Sequence, residues 1–426
     1  MLYNSDSSVR LSKKKSKFDK QKFDNAAKFV YENGGINPED LTSETTKTLL
    51  AETNKILSET VPKGIAAAGV KYDVSDEILY ALRENVFIFS GMKTYHQLKE
   101  ASQLLITENG DIKPFYRFNE DIQKLYGAYN ERYLEAEYGF ALHSAQMAAK
   151  WNDYGHDGDT YNLQYRTAGD DRVRHDHAEL NGITLAMSDP FWNSYTPPLD
   201  WGCRCTIIQV LKDKYPLSDS VAAQELGKSA TTRIGADGVN KLAMFRFNPG
   251  KTLKIFPDKH PYFPRGCDNC DKNLQLAKNI DKNELCAVCA IVCKQAKKSA
   301  TAQEREKYLK EMEPLLKKTV VKEVDGKNIS IKFTKKGNRH LYSDTFIRTN
   351  SLKKEDLKHL YKALLQSKFV KSSEITKPRN DSIVRFYYFK DTERELFYNA
   401  AERIYKIKKV EHKEIFLYAA TKMVKK

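Results

Sequence analysis

Three stretches of this chain carry side chains capable of chemistry. The first, "GDDRVRHDHAELNG" at 169–182, sets Asp170, Asp171, His175 and His177 within a few positions of one another. Carboxylates and imidazoles hold hydrolytic metals or exchange protons, so a metal-dependent hydrolase is one reading. The spacing argues against it. His175-x-His177 suits a strand rather than one face of a helix, and Asp170 and Asp171 leave an extended backbone on opposite sides. The other reading is a loop tied together by its own polar side chains.

The second stretch is rich in cysteine. All seven cysteines fall between 203 and 293. Cys267-x2-Cys270, fifteen residues, then Cys286-x2-Cys289 has the spacing of a four-thiolate structural zinc site, with each pair of sulfurs on a tight turn. His260 before the first pair and Cys293 one helical turn after the second are further candidate ligands. Four sulfurs leave no open position, so zinc here is expected to be structural, and no cofactor is expected for catalysis. Reduced thiols and disulfides are the alternatives. The N-terminal "MLYNSDSSVRLSKKKSKFDKQ" has lysines with no apolar run behind them, so no secretory signal is expected, which favours metal over disulfides.

The third is the basic tail. Residues 318–426 hold 27 Lys+Arg against 13 Asp+Glu, a net +14 of the chain's +15. Charge concentrated in this way points to a polyanionic partner, RNA or packaged DNA. Within it, His340 stands among Lys335, Lys336 and Arg339 in "TKKGNRHLYSDTF". A histidine can move the protons of metal-free RNA cleavage while Lys and Arg offset the charge on phosphorus. Arg385 and Tyr388, with Thr421 in the last strand, complete the candidate catalytic set, and Tyr387 offers a stacking face. Alternation in a strand puts Arg385 and Tyr387 on one face and Phe386 and Tyr388 on the other. No glutamate stands out as general base. The competing readings are nucleic-acid binding without catalysis and a protein-interaction domain.

Elements must position these groups. A chain of 426 residues, 41% hydrophobic and 11% aromatic, exceeds one ordinary core and is expected to fold as several domains. No apolar run is long enough to cross a bilayer, so no membrane partner is expected. Residues 1–75 read as a polar, helical region. Residues 76–155 read as helices interrupted at Ser90-Gly91, with Ala136, Ala141, Ala145, Ala148 and Ala149 suited to close packing. Short strands are expected in "LQYRTAGDDRVR" and "CRCTIIQV", the latter closing a domain over 76–215. A cysteine-rich segment follows over 216–300, then a linker helix over 301–317. In 318–426, "TVVKEV" and "NISIKFT" flank the hairpin signal "DGK", and an amphipathic helix is expected over 352–367. "SIVRFYYFK", "ELFYNAA", "RIYKIKKV" and "EIFLYAAT" then read as an antiparallel meander.

The stretch "YRTAGDDRVRHDHAELNGITLAMSDPFWNSYTPPLDWGCRC", with the helix "YLEAEYGFALHSAQMAAKW" before it, resembles the phage Mu protein F-like family of minor head, or head morphogenesis, proteins. The resemblance covers roughly 80–215. It implies a structural role in a phage head, with portal and capsid proteins as partners, and it implies that Thr167, Asp170, Arg174 and His177 form a hydrogen-bonded, ion-paired core. The tail, through "GNRHLYSD…LKKEDLKHL…KPRNDSIVRFYYFKD", resembles phage-associated nuclease domains of the barnase–EndoU–colicin E5/D–RelE type, which implies an RNase-like effector. The expected fold class is α+β multidomain: a helical N-terminal part, a small α+β head-morphogenesis module, a zinc-ribbon-like segment, and a C-terminal helix with an antiparallel sheet. The expected location is the bacterial host cytoplasm, and the virion head where the phage is functional.

Overall fold

The computed structural model describes residues 17–157, 160–264, 280–316, 318–342, 359–375, 382–407 and 410–422. The chain divides into two compact units, 1–298 and 299–426, each treated by itself.

The first unit opens with helices α1 (Lys20–Glu32), α2 (Glu44–Ser58) and α3 (Thr60–Ala67). Asp19 and Ser43 cap the first two, accepting from the backbone N–H of Gln21 and Thr46. α4 (Asp76–Gln103) follows, capped by Ser75 and carrying Asp76 and Glu77 where the helix dipole favours negative charge. It runs through Ser90-Gly91 without a break, contrary to the interruption expected there. The glycine is a packing device: a Cβ at Gly91 would lie 2.5 Å from Val292 Cγ1. α4 is also buried all round from Ser90 to Leu98. Within it, Lys93 reaches Glu137 Oε2 at 2.6 Å and the Tyr129 carbonyl at 2.7 Å, both charges removed from water.

α5 (Phe115–Tyr126) passes through one π-helical stretch, Gly127–Tyr133, into α6 (Leu134–His156). Ala141, Ala145, Ala148 and Ala149 are buried, as their size suggested, and α3 crosses α6 where Gly64 sits against the Leu142 carbonyl. Then come β1 (Tyr161–Arg166), α7 (His175–Ala178), β2 (Thr184–Ala186), α8 (Phe191–Ser194), β3 (Thr206–Leu211), α9 (Ser220–Ala230) and α10 (Pro249–Thr252). The three strands form an antiparallel sheet in the order β2-β1-β3. α11 (Lys282–Glu311) packs Leu285, Val288 and Val292 into the large helical core. It is a single helix across the boundary expected at 300/301.

In the second unit, Tyr308 and Met312 belong to the core of a six-stranded sheet. Its elements are β4 (Thr319–Val324), β5 (Lys327–Lys332), α12 (Lys335–Leu341), α13 (Leu360–Gln366), β6 (Lys368–Glu374), β7 (Ile383–Asp391), β8 (Leu396–Ile407) and β9 (Val410–Thr421). The "DGK" hairpin forms as expected, with Asp325 (φ 50°) and Gly326 (φ 75°) both left-handed, as a two-residue turn of this type requires. Strand order is β4-β5-β9-β8-β7-β6. The sheet is mixed rather than antiparallel throughout, because β9 returns alongside β5 in parallel. "LFYNAA" and "RIYKI" belong to one strand, β8, whose length matches β9. β6 is an edge strand missed because Lys368, Lys371 and Glu374 dilute its apolar signal, as edge strands commonly require. Lys322 of β4 lies 5.7 Å over the Phe389 ring of β7, so the sheet curls about its core. The helix expected over 352–367 is seen from Leu360; residues 343–358 lie outside the described residues.

Candidate functional site

β1 is central in the small sheet and buried from Asn162 to Tyr165. Leu163 and Tyr165 join Phe191, Trp192, Leu199 and Met147 of α6 in one apolar cluster. α6 is fastened to β3 by polar contacts as well: Tyr154 Oη donates to the Ile207 carbonyl (3.0 Å) and Lys150 Nζ to Thr206 Oγ1 (2.7 Å). Burial pushes the Lys150 amine down to about 8.

Against this base, Cys203-Arg204-Cys205 leads into β3 with the alternation of an extended chain. Both cysteines are buried, whereas Arg204 turns to Asp170, with Nη1 and Nη2 at 2.6 and 2.5 Å from its two oxygens. The bidentate guanidinium, with Arg172 assisting at 3.2 Å, holds the Asp170 carboxyl well below the usual carboxylate range. His177, on the single turn of α7, is buried, with Nδ1 3.7 Å from Cys203 Sγ and 3.8 Å from Cys205 Sγ. Arg174 donates to the Trp201 carbonyl (2.7 Å) and lies 3.3 Å from the buried Asp200 carboxylate. Thr167 donates from both N and Oγ1 to Asn181 Oδ1.

Thr167, Asp170, Arg174 and His177 thus each fasten the 167–177 loop to a different partner. Their side chains reach Asn181, Arg204, Asp200–Trp201 and the cysteine pair, while the His177 N–H donates to the Arg174 carbonyl (3.0 Å). The hydrolytic trio is not assembled. Asp170 is engaged by Arg204, the His175 side chain is 87% exposed beside Asp176 and Glu179, and His177 faces inward. Asn181, Asp200 and Tyr165 were not singled out from sequence, and Arg204 entered only through the Cys203-Arg204-Cys205 resemblance. Only the alternation in Cys-Arg-Cys signalled that one of the three must leave the core.

The zinc-ribbon pattern fares differently. Cys267 and Cys270 lie outside the described residues. Cys286 and Cys289 sit on α11, so the second pair is helical rather than a tight turn. Cys289 and Cys293 sulfurs are 3.9 Å apart, and the hydrogen bond from Cys289 draws the Cys293 thiol down to about 7. His260 is packed among Phe89, Trp201 and Tyr262, where burial pushes its imidazole well below the ordinary value. Among the described residues, His177, Cys203 and Cys205 are the three metal-ligating side chains whose ligand atoms all lie within 4.8 Å of one another.

In the second unit, His340 lies on α12, a helix disguised in sequence by Gly337. Thr334 caps it by accepting from the Gly337 N–H, and a Cβ at Gly337 would strike the Leu417 carbonyl of β9 at 2.4 Å. The glycine is what lets α12 lie flat on the sheet. Lys335, Lys336 and Arg339 ride on the same short helix. The His340 ring stacks on Tyr418 (4.4 Å, 20°), Tyr418 packs on Phe386 (5.3 Å), and Phe386 on Tyr388 (6.4 Å). Tyr388 pairs across the sheet with Asn399, whose Nδ2 donates to Thr421 Oγ1 (3.3 Å). His340, Tyr388 and Thr421 therefore share a sheet face.

Arg385 and Tyr387 occupy the opposite face, in keeping with their alternation. Arg385 pairs with Glu374, and the Tyr387 hydroxyl donates to Glu402, which also holds Lys413 at 2.7 Å. Arg385 is thus separated from the other three catalytic candidates. Tyr388 and Thr421 are themselves buried.

Residues 113–208 match the family model described as Phage Mu protein F like protein, a span running from just before α5 to the start of β3. The chain is 36% identical over 67 residues to the Mu-like prophage FluMu F protein of Haemophilus influenzae, covering 16% of each chain. It is 31% identical over 77 residues, 18% of each chain, to protein F of Escherichia phage Mu, which is named for capsid assembly. The chain thus spans less than a fifth of the length of the curated relatives it matches. No solved structure matches it. Among the described residues, no helix is long and apolar enough to cross a membrane.

Proposed function

We propose that the chain, with a Phage Mu protein F-like segment at 113–208, is a minor head protein of a phage or prophage that works by binding other head proteins, portal and capsid among them. One observation carries this reading: the matched span contains β1, β2, the start of β3 and the α6 residues packed on them, with polar groups that tie loops to a sheet. With Asp170 saturated by Arg204 and His177 turned inward, that span is built for rigidity rather than turnover. Deleting the gene from an inducible prophage tests it. The expected result is a loss of DNA-filled heads, counted by electron microscopy and restored by the gene in trans; normal heads without the protein would contradict the reading.

The tail supports a second reading, a metal-independent ribonuclease or, failing catalysis, a nucleic-acid grip. Its net +14 charge and the half-buried row of His340, Tyr418 and Phe386 favour a polyanion with stacking bases. His340 is the proton carrier in this reading, and Arg385 is assigned to binding, since it sits on the far face. Full-length protein and His340→Ala, incubated with RNA in excess EDTA, separate the two. Cleavage lost in the variant supports the nuclease; equal, salt-sensitive binding without cleavage leaves the grip.

A further inference from the structure

We propose that His177, Cys203 and Cys205 form a structural zinc site inside the Mu F-like segment. The three side chains come from two places in the chain, the turn of α7 and the approach to β3, and are only 2%, 3% and 5% exposed. They supply one imidazole nitrogen and two sulfurs, the donor set zinc prefers. Their spacing fits as well. With Zn–S about 2.3 Å and Zn–N about 2.1 Å, the N···S edge of a tetrahedron is about 3.6 Å. The observed edges from His177 Nδ1 are 3.7 and 3.8 Å.

A hydrogen-bonded core of this size does not need two thiols converging on one imidazole nitrogen. The fully buried Tyr165 hydroxyl lies against both sulfurs and bonds to that of Cys205, which makes it the polar group at hand for the fourth position. Charge is also balanced. Two thiolates and a neutral imidazole cancel a divalent ion, so burial carries no net charge. Arg174 and Arg204, which sits between the two cysteines, flank the site on the solvent side.

The consequence is mechanical. α7 has four residues and no side-chain cap, too little to hold its own position. A metal bonded to His177 and to both residues flanking Arg204 pins α7 to β3. It also sets the Asp170–Arg204 pair in register, because Arg204 can reach outward only when its neighbours are held inward.

The test uses the full chain with Cys267, Cys270, Cys286, Cys289 and Cys293 all replaced by serine. Purified without an affinity metal and without chelator, this protein is expected to carry about one zinc per chain by plasma mass spectrometry. Cobalt in its place is expected to give thiolate charge-transfer absorption of two-sulfur intensity. Adding Cys203→Ser and Cys205→Ser should abolish both signals, whereas His177→Cys, which keeps a ligand, should retain zinc. The second substitution guards against misreading a folding failure. Three results would overturn the proposal: a folded five-serine protein without zinc, zinc that persists after loss of both cysteines, or a mass deficit of two hydrogens from a Cys203–Cys205 disulfide.

Discussion

At the scale of single residues, buried charge sets the sharpest expectations. Lys93 and Glu137 neutralise each other in the helical core, so Lys93→Ala strands a carboxylate. The expected loss is about 3–5 kcal/mol in urea unfolding, with Lys93→Met/Glu137→Leu losing much less. A loss equal in both variants would contradict the pairing. Two buried histidines give a pH dependence. Burial lowers His96 to about 4 and His260 well below the ordinary value, while an unfolded histidine titrates near about 6.5. Between those values the unfolded chain takes up protons that the folded chain refuses, so protonation favours unfolding. Stability is expected to be full above pH about 6.5 and to fall towards pH about 4, and His96→Gln should flatten the slope of the urea midpoint. Part of this scale was readable beforehand, namely the opposite faces of Arg385 and Tyr388. The pairings were not, because Asp170–Arg204 and Tyr387–Glu402 join positions far apart in sequence.

At the scale of elements, periodicity located the longer helices, α2, α4, α5 and α6 among them, and the errors have physical causes. Ser90-Gly91 and Gly337 look like breaks, yet each marks a helix pressed against a neighbour with no room for a Cβ. Local propensity cannot report that. Gly91→Ala should therefore reverse the usual gain of alanine in a helix, costing about 1–3 kcal/mol by overpacking against Val292. Val292→Ala in the same protein should recover part of that loss, seen in denaturation midpoints; a Gly91→Ala protein more stable than the parent would refute the packing. The parallel β5–β9 pair was equally hidden, since it joins the start of the unit to its end.

At the scale of the whole molecule, charge and family likeness fall on different parts of one chain. The Mu F-like segment lies in the first unit, and nearly all the net charge lies in 318–426. A nucleic-acid grip by that tail should weaken steeply with salt, about one power of salt for each phosphate contacted, with slopes shared by wild type and His340→Ala. A binding constant indifferent to salt would leave the charge without a role. The central claim, a minor head protein, is tested most directly by proteomics of particles purified from the host that carries this gene. The account predicts peptides from both units in intact particles, at copy numbers far below the major capsid protein. Infectious particles free of this chain would contradict it.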